Sequence, residues 1–114
     1  MSREIKFYLE DILESCSKIL EYTHGLNLDQ FIVDNKAYDA VLRNLEIIGE
    51  AAKQVPKEIR ILMPDIEWRK AGGLRDIISH AYFGIDNDIL WDIIVHKVPE
   101  LKQSIESYFE KFRP

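Results

Sequence analysis

The stretch RDIISHAYFGID, residues 75–86, has the apolar spacing of a helix and also carries arginine, aspartate, histidine and tyrosine. Apolar residues recur through it and before it in steps of three and four: Trp68, Ala71, Leu74, Ile78 and Ala81. Such steps match the period of an α-helix. They predict a helix over residues 65–84, with Asp65 as its N-cap and Gly84 as the left-handed residue that ends it.

Two adjacent glycines, Gly72 and Gly73, lie inside this predicted helix. Each costs about 1 kcal/mol relative to alanine in a helix interior. Two explanations stay open at this point: a local irregularity of the helix, or a close approach by the backbone of a neighbouring helix.

The same period continues on the N-terminal side of the quoted stretch. It predicts a first helix over about residues 2–23, with Ser2 as its N-cap and Gly25 at its end. A second helix is predicted over residues 35–54, with Asp34 as its cap. Between the long helices, the sequence predicts a loop with a short turn around residues 28–33 and a short helix over residues 56–64.

A last helical segment is predicted over residues 86–112, where Asp86 is placed to act as an N-cap. Pro99 lies inside this segment and has no backbone N–H to donate. The sequence therefore predicts a kink or break near Val98.

The helical period accounts for most of the chain, and no window shows the alternating pattern of β-hairpins. The predicted fold class is all-α, a bundle of four main helices formed by residues 1–114 as one domain. Several of these helices are apolar over a broad face, which predicts a shared interface as well as a core. A homodimer is therefore expected.

Composition narrows the possible settings of the protein. No apolar run approaches the roughly 18 residues that a membrane span requires, and the N-terminus lacks the apolar centre of a signal peptide. These features predict a cytoplasmic protein that does not contact a membrane. The one cysteine, Cys16, has apolar helical neighbours and is predicted to be a buried, inert thiol.

Charge gives a mixed indication about nucleic acid. The net charge of −5 argues mildly against it, since phosphate binding usually requires a basic surface. Residues 36–75, however, carry eight basic and six acidic side chains and lead directly into the quoted stretch.

Helical geometry sets which polar side chains of the quoted stretch share a face. Arg75 and Tyr82 are seven residues apart and lie nearly above one another, and Asp76 and His80, four apart, also lie close. Arg75 and His80 diverge by roughly 140° around a straight helix. Two copies of the helix packed about a twofold axis would allow each to complete the other's site.

The residue types favour cleavage of a phosphodiester in RNA. The Arg75 guanidinium matches phosphate oxygens, His80 can transfer a proton near neutral pH, and Asp76 could fix the tautomer of the imidazole. The internal 2′-hydroxyl of RNA supplies the nucleophile, so the chemistry requires no metal or other cofactor. On spacing alone, a surface cluster of ion pairs accounts for the same residues, and this alternative stays open.

The spacing R-x4-H-x-Y of Arg75, His80 and Tyr82, with Asp76 after the arginine, resembles the signature of HEPN-domain ribonucleases. The blocks RNLEIIGEAAK (43–53), GLRDIISHAYFGID (73–86) and LWDII (90–94) make the chain similar, over essentially its whole length, to the HepT toxin family. Proteins of that family are partners of MntA nucleotidyltransferase antitoxins.

The resemblance implies a HEPN-type bundle of four to five helices that dimerises and acts as a metal-independent ribonuclease toxin on RNA. Arg75 and His80 would then be catalytic, and Asp76 would occupy the polar supporting position. Tyr82 would be the residue to which the antitoxin transfers AMP, which silences the toxin. An alternative is a HEPN module that binds a nucleotide or a partner nucleotidyltransferase and cleaves nothing.

One further stripe of charge lies in the second helix, at Arg43, Glu46, Glu50 and Lys53. These steps of three and four favour a solvated row of ion pairs. The functional alternative is that Arg43 faces the cleft and binds RNA.

Overall fold

The computed structural model describes residues 2–83 and 86–112, and all regular secondary structure within these ranges is helical. This confirms the predicted all-α class. The elements are α1 (Arg3–Thr23), α2 (Leu28–Val33), α3 (Asn35–Gln54), α4 (Lys57–Arg60), α5 (Trp68–Gly72), α6 (Leu74–Tyr82), α7 (Asn87–Asp92), a π-helical turn (Ile93–Lys97) and α8 (Val98–Phe112).

The predicted ends of the first two long helices are confirmed. The Ser2 hydroxyl accepts a hydrogen bond from the Ile5 amide at 3.2 Å, and the Asp34 carboxylate accepts one from the Ala37 amide at 3.0 Å. Each bond satisfies one of the amides that a helix start leaves without a partner. Gly25, after α1, has a φ of +78°, a left-handed conformation that glycine adopts without strain.

Helix α3 contacts α1, α5 and α6, and α1 also contacts α8. The core between these helices is built from apolar side chains at the predicted helical spacing. Its largest fully buried members are Phe31, Leu9, Ile12, Ile19, Leu42, Leu45, Ile48, Leu90, Ile94, Ile105, Val41 and Val55. The predicted inert thiol of Cys16 is also fully buried.

The helix predicted over residues 65–84 is two helices, because the chain departs from helical geometry at Gly73, with φ −91° and ψ 7°. The glycine pair therefore marks a local irregularity. The close backbone approach is made at another glycine, since a Cβ on Gly49 of α3 would lie 3.3 Å from the Ala71 carbonyl oxygen. Helix α5 begins after Glu67, and the predicted cap at Asp65 is wrong. The predicted role of Gly84 falls outside the described residues.

The segment predicted over residues 56–64 forms only one helical turn, α4. Arg60 at its end donates hydrogen bonds to the carbonyl oxygens of Val55 and Ala52, at 2.8 and 3.0 Å. Its guanidinium also lies 5.6 Å from the ring centroid of Trp68. Arg60 thus caps the C-terminus of α3 and packs on the residue that starts α5.

The predicted disturbance near Val98 is a π-helical turn that joins α7 to α8. The Val98 amide donates to the Ile93 carbonyl, five residues back, where an α-helix would use a carbonyl four residues back. The turn ends at Lys97, and α8 begins at Val98, directly before Pro99, which has no N–H to donate. The helical run therefore continues through the proline with a changed hydrogen-bond pattern.

None of the helices in residues 2–83 and 86–112 combines the length and the apolar character needed to cross a lipid bilayer.

Candidate active site on helix α6

Helix α6 has one buried face and one exposed face. Leu74, Ile78 and Ala81 are buried, and the helix contacts α3 on this side. Apolar burial at these three positions fixes the rotation of the helix about its axis. As a result Arg75, His80 and Tyr82 are all exposed to solvent.

His80 has a carboxylate partner, which is Asp86. The imidazole Nδ1 lies 2.9 Å from Asp86 Oδ2, and the His80 side chain keeps 56% of its surface exposed. An ionised carboxylate accepts hydrogen bonds and cannot donate them, so Nδ1 carries the proton that is shared with Asp86. The neutral ring then presents Nε2, without a proton, as the nitrogen that can accept one.

This pairing corrects one prediction, on Asp76, and adds a role to Asp86. Asp76 was expected to fix the tautomer of His80, but the structure gives that position to Asp86. Asp86 was expected to cap the last helix. It occupies the N-cap position of α7, and its carbonyl oxygen accepts a hydrogen bond from the Leu90 amide at 3.0 Å, but its side chain makes no capping hydrogen bond. The two residues are six apart across the end of α6, which is not a helical spacing. Only the path of the chain after α6 could have shown that they meet.

Asp76 instead lines a groove of about 490 Å³ between α3, α6 and the C-terminal helical run. The floor of the groove is apolar, with Leu45, Ile48, Ile66, Leu74, Ile77, Ile93, Val98 and Leu101 among its lining residues. Charged residues also line it, including Glu67 and Lys70, which pair at 2.8 Å. This hydrogen bond lowers the pKa of Glu67 and raises that of Lys70. Neither Arg75 nor His80 lines the groove.

Arg75 is exposed, and no carboxylate within residues 2–83 and 86–112 forms an ion pair with it. Because α6 is a regular α-helix from Leu74 to Tyr82, Arg75 and His80 stay roughly 140° apart around its axis. One copy of the helix does not bring the two groups to the same point. Tyr82, 67% exposed, shares the face of Arg75.

Arg43 lies apart from these residues, in a second groove lined by α1 and α3. Its guanidinium is 3.6 Å from Glu46, and Lys53 is 3.4 Å from Glu50. The predicted row of solvated ion pairs is therefore present. No residue of α6 lines this second groove, whose other charged residues are acidic, Asp11 among them.

A metal-binding cluster is not found in the part of the chain that the structure describes: no three histidine, cysteine, aspartate or glutamate side chains there are grouped so that they could hold an ion.

Comparison with known proteins identifies close relatives. Residues 12–108 match the family described as "Ribonuclease HepT-like". The chain is 43% identical over 113 residues, 99% of both chains, to a protein of Thermococcus cleftensis named "Probable ribonuclease HepT". Relatives described as "putative RNase" come from Methanocaldococcus jannaschii and Caldanaerobacter subterraneus. They are 39% and 38% identical over 104 residues, which cover 91% of this chain and 86% and 93% of theirs. No solved structure matches the chain significantly.

Proposed function

The chain belongs to the HepT-like ribonuclease family, and from this membership we propose that it is a metal-independent endoribonuclease toxin of the cytoplasm. One observation supports the catalytic assignment above the others. His80 is held by Asp86 at 2.9 Å with its ring still exposed, on a helix that also carries Arg75, a cation with no ion-pair partner among the described residues. A positioned imidazole and a free guanidinium are what phosphodiester cleavage in RNA requires from a protein.

The reaction follows from the roles of these groups. Nε2 of one His80 takes the proton of the RNA 2′-hydroxyl, whose oxygen forms a bond to the adjacent phosphorus. The bond from phosphorus to the 5′-oxygen breaks, and a second imidazole donates a proton to that oxygen. The products are a 2′,3′-cyclic phosphate and a 5′-hydroxyl end. Arg75 stabilises the extra negative charge on the phosphorane between these steps.

The site is proposed to form between two copies of the chain. The angle of roughly 140° between Arg75 and His80 on α6 separates them within one copy. In a twofold dimer, Arg75 of one copy can face His80 of the other, and the two His80 rings can share the roles of base and acid. Asp76, the polar residue after the arginine, would then support the cleft at this interface. Arg43 has a weaker case as an RNA contact, because it is already paired with Glu46.

Regulation is proposed to act at Tyr82, through a partner nucleotidyltransferase antitoxin. The Tyr82 oxygen would attack the α-phosphorus of ATP, pyrophosphate would leave, and the phenol proton would pass to solvent or to a base on the antitoxin. Two properties support this assignment: Tyr82 is 67% exposed, and it shares a face with Arg75. An AMP group there adds bulk and negative charge beside the cation that binds RNA phosphate.

The catalytic proposal is tested with His80→Ala and with His96→Ala as its matched control. His96 is an exposed histidine that pairs with Asp92 at 3.9 Å. In EDTA, the wild-type chain and His96→Ala are expected to cleave RNA at equal rates. His80→Ala should lose at least about a hundredfold in kcat with its helicity unchanged. Equal cleavage by both variants would overturn the assignment, and RNA binding by the wild type without any cleavage would favour a non-catalytic HEPN module.

The regulatory proposal is tested by mass spectrometry after incubation with the cognate nucleotidyltransferase and ATP. An added AMP mass is expected on the peptide that contains Tyr82, and Tyr82→Phe should remain unmodified and active. Tyr22, which is also exposed, serves as the internal control for specificity. AMP on Tyr22 and not on Tyr82 would contradict the proposal.

A further inference from the structure

Tyr38, on α3, contacts both of the segments that carry the His80 and Asp86 pair. Its hydroxyl donates a hydrogen bond to the Ala81 carbonyl oxygen at 2.9 Å and lies 2.6 Å from Oδ1 of Asn87. Ala81 directly follows His80, and Asn87 directly follows Asp86. One hydroxyl group thus links the end of α6 to the start of α7, beside the two residues that must meet.

The chemistry of a phenol allows both contacts at once. Tyr38 has one proton, and both of its neighbours, the Ala81 carbonyl oxygen and Asn87 Oδ1, can accept it. At 2.9 and 2.6 Å the two acceptors share this proton, so the hydroxyl bridges them. Burial and the nearby Asp39 raise the pKa of Tyr38, which keeps the donated proton in place.

The ring of Tyr38 is itself held by packing. It stacks on Phe31 with 5.2 Å between ring centroids, and Phe31 lies 5.3 Å from the ring of Trp91 on α7. Phe31 is fully buried. The hydroxyl is therefore carried on a fixed support, independent of the exposed end of α6.

We propose that Tyr38 is a positioning residue for the reaction, which holds the end of α6 and the start of α7 at the separation that lets Asp86 bind Nδ1 of His80. This inference rests on the proposed catalytic role of His80. Tyr38 lies on α3, so a residue outside the R-x4-H-x-Y motif of α6 contributes to the site. Without the hydroxyl, the backbone still folds over the same aromatic cluster, but the imidazole samples both tautomers and orientations.

The experiment uses Tyr38→Phe, which removes the hydroxyl and keeps the ring that packs on Phe31. The ring nitrogens of His80 are observed by ¹⁵N NMR in alkaline buffer, where imidazoles are neutral and the two tautomers give separate signals. The wild type is expected to show Nδ1 protonated and Nε2 free, and Tyr38→Phe a mixture of tautomers. Tyr22→Phe, which removes an exposed hydroxyl on α1, is the control and should resemble the wild type.

The loss of a single tautomer should also lower the rate of RNA cleavage. Tyr38→Phe is expected to lower kcat for RNA cleavage about tenfold to a hundredfold with KM little changed, since orientation and not binding is lost. Asn87→Ala, which removes the other end of the link, should shift the tautomers in the same way. A Tyr38→Phe protein whose tautomer signals match the wild type would overturn the inference. The NMR experiment measures the tautomer of His80 in the absence of RNA. If the chain cleaved no RNA, the catalytic proposal would be contradicted, but the positioning role of Tyr38 would still be tested by the NMR result.

Discussion

At the scale of single residues, Asp76 and Asp86 both lie within six positions of His80, and the structure places the Asp86 carboxylate at 2.9 Å from its ring. Asp76 faces a groove that His80 does not line. The carboxylate that sets the tautomer of the imidazole is thus separate from the one that the R-x4-H motif contains. The R-x4-H motif covers only residues of α6, whereas Asp86, the carboxylate partner of His80, follows the helix.

This separation predicts different results for the two carboxylates. Asp86→Ala should lower kcat by about tenfold to a hundredfold and allow both tautomers of His80, because the acceptor for Nδ1 is removed. Asp76→Ala should leave the tautomer of His80 unchanged, even if the loss of Asp76 from the proposed cleft lowers activity. Asp88→Ala, an exposed carboxylate at the start of α7, is the matched control for charge. Kinetics and ¹⁵N NMR measure the effects, and an unchanged tautomer in Asp86→Ala would contradict the pairing.

Cys16 gives a prediction on pH. Burial raises the pKa of its thiol from 9.0 to about 12, so the folded protein keeps the proton at a pH where the unfolded chain loses it. The stability that this group contributes is complete below pH 9.0 and is lost as the pH rises to about 12. The free energy of unfolding of the wild type should therefore fall more steeply over this range than that of Cys16→Ala. At pH 8, alkylation should be at least about a hundredfold slower in the folded protein than in urea.

At the scale of the helix, Gly49 explains how closely α3 approaches α5 and α6. A Cβ at this position would lie 3.3 Å from the Ala71 carbonyl oxygen and 3.6 Å from the Leu74 Cβ. A backbone oxygen cannot move aside as a flexible side chain can. This close packing of α3 at Gly49 fixes the position of Leu74, the first residue of α6. It therefore also fixes the position of the helix that carries His80.

Two glycine substitutions test this approach. Gly49→Ala should lower the free energy of unfolding by about 1–3 kcal/mol through the backbone clash, although alanine favours a helix by about 1 kcal/mol. Gly72→Ala should be neutral or raise stability by up to about 1 kcal/mol, since its Cβ would meet Lys53 Cγ at 3.5 Å, an ordinary contact. Urea unfolding measures both. A Gly49→Ala protein as stable as the wild type would refute the close-packing argument.

The accuracy of sequence prediction also varies at this scale, for physical reasons. The ends at Ser2 and Asp34 were predicted correctly, because a capping side chain and the amide it binds are three residues apart in the sequence. The split at Gly73 of the helix predicted over residues 65–84 was only one of two alternatives, since apolar spacing continues through the break. The contacts of Asp86 and Tyr38 depend on how separate segments pack, which no local pattern contains.

At the scale of the whole molecule, several cations within residues 2–83 and 86–112 already have partners. Arg60 is used to cap α3, and Arg43, Lys53, Lys70 and Lys97 each pair with a glutamate. With a net charge of −5, the chain is acidic overall, so we expect phosphate binding to depend on a local arrangement such as Arg75 at the proposed cleft. Two copies would double the number of such cations at one place.

This arrangement makes a prediction about mixed dimers of two inactive variants. Arg75→Ala lacks the cation and His80→Ala lacks the imidazole, so each should be inactive alone. Refolding them together gives about half of the dimers one chain of each kind. In such a dimer, Arg75 of one chain can face His80 of the other, which restores the cation and one of the two imidazoles at the cleft. Because the second imidazole is missing, less than about a quarter of the wild-type rate should return, but the rate should clearly exceed the mean of the two variants measured alone.

The opposite geometry gives a different number. If Arg75 and His80 of the same chain formed the site, no mixed dimer would contain a complete one, and the rate would stay at the mean of the two variants. The double variant Arg75→Ala/His80→Ala, refolded with Arg75→Ala, provides the control, because it forms dimers that hold no Arg75 at all. Recovery in the first mixture and none in the second would place the two groups on different copies. The roughly 140° between them on α6 is the reason to expect that result.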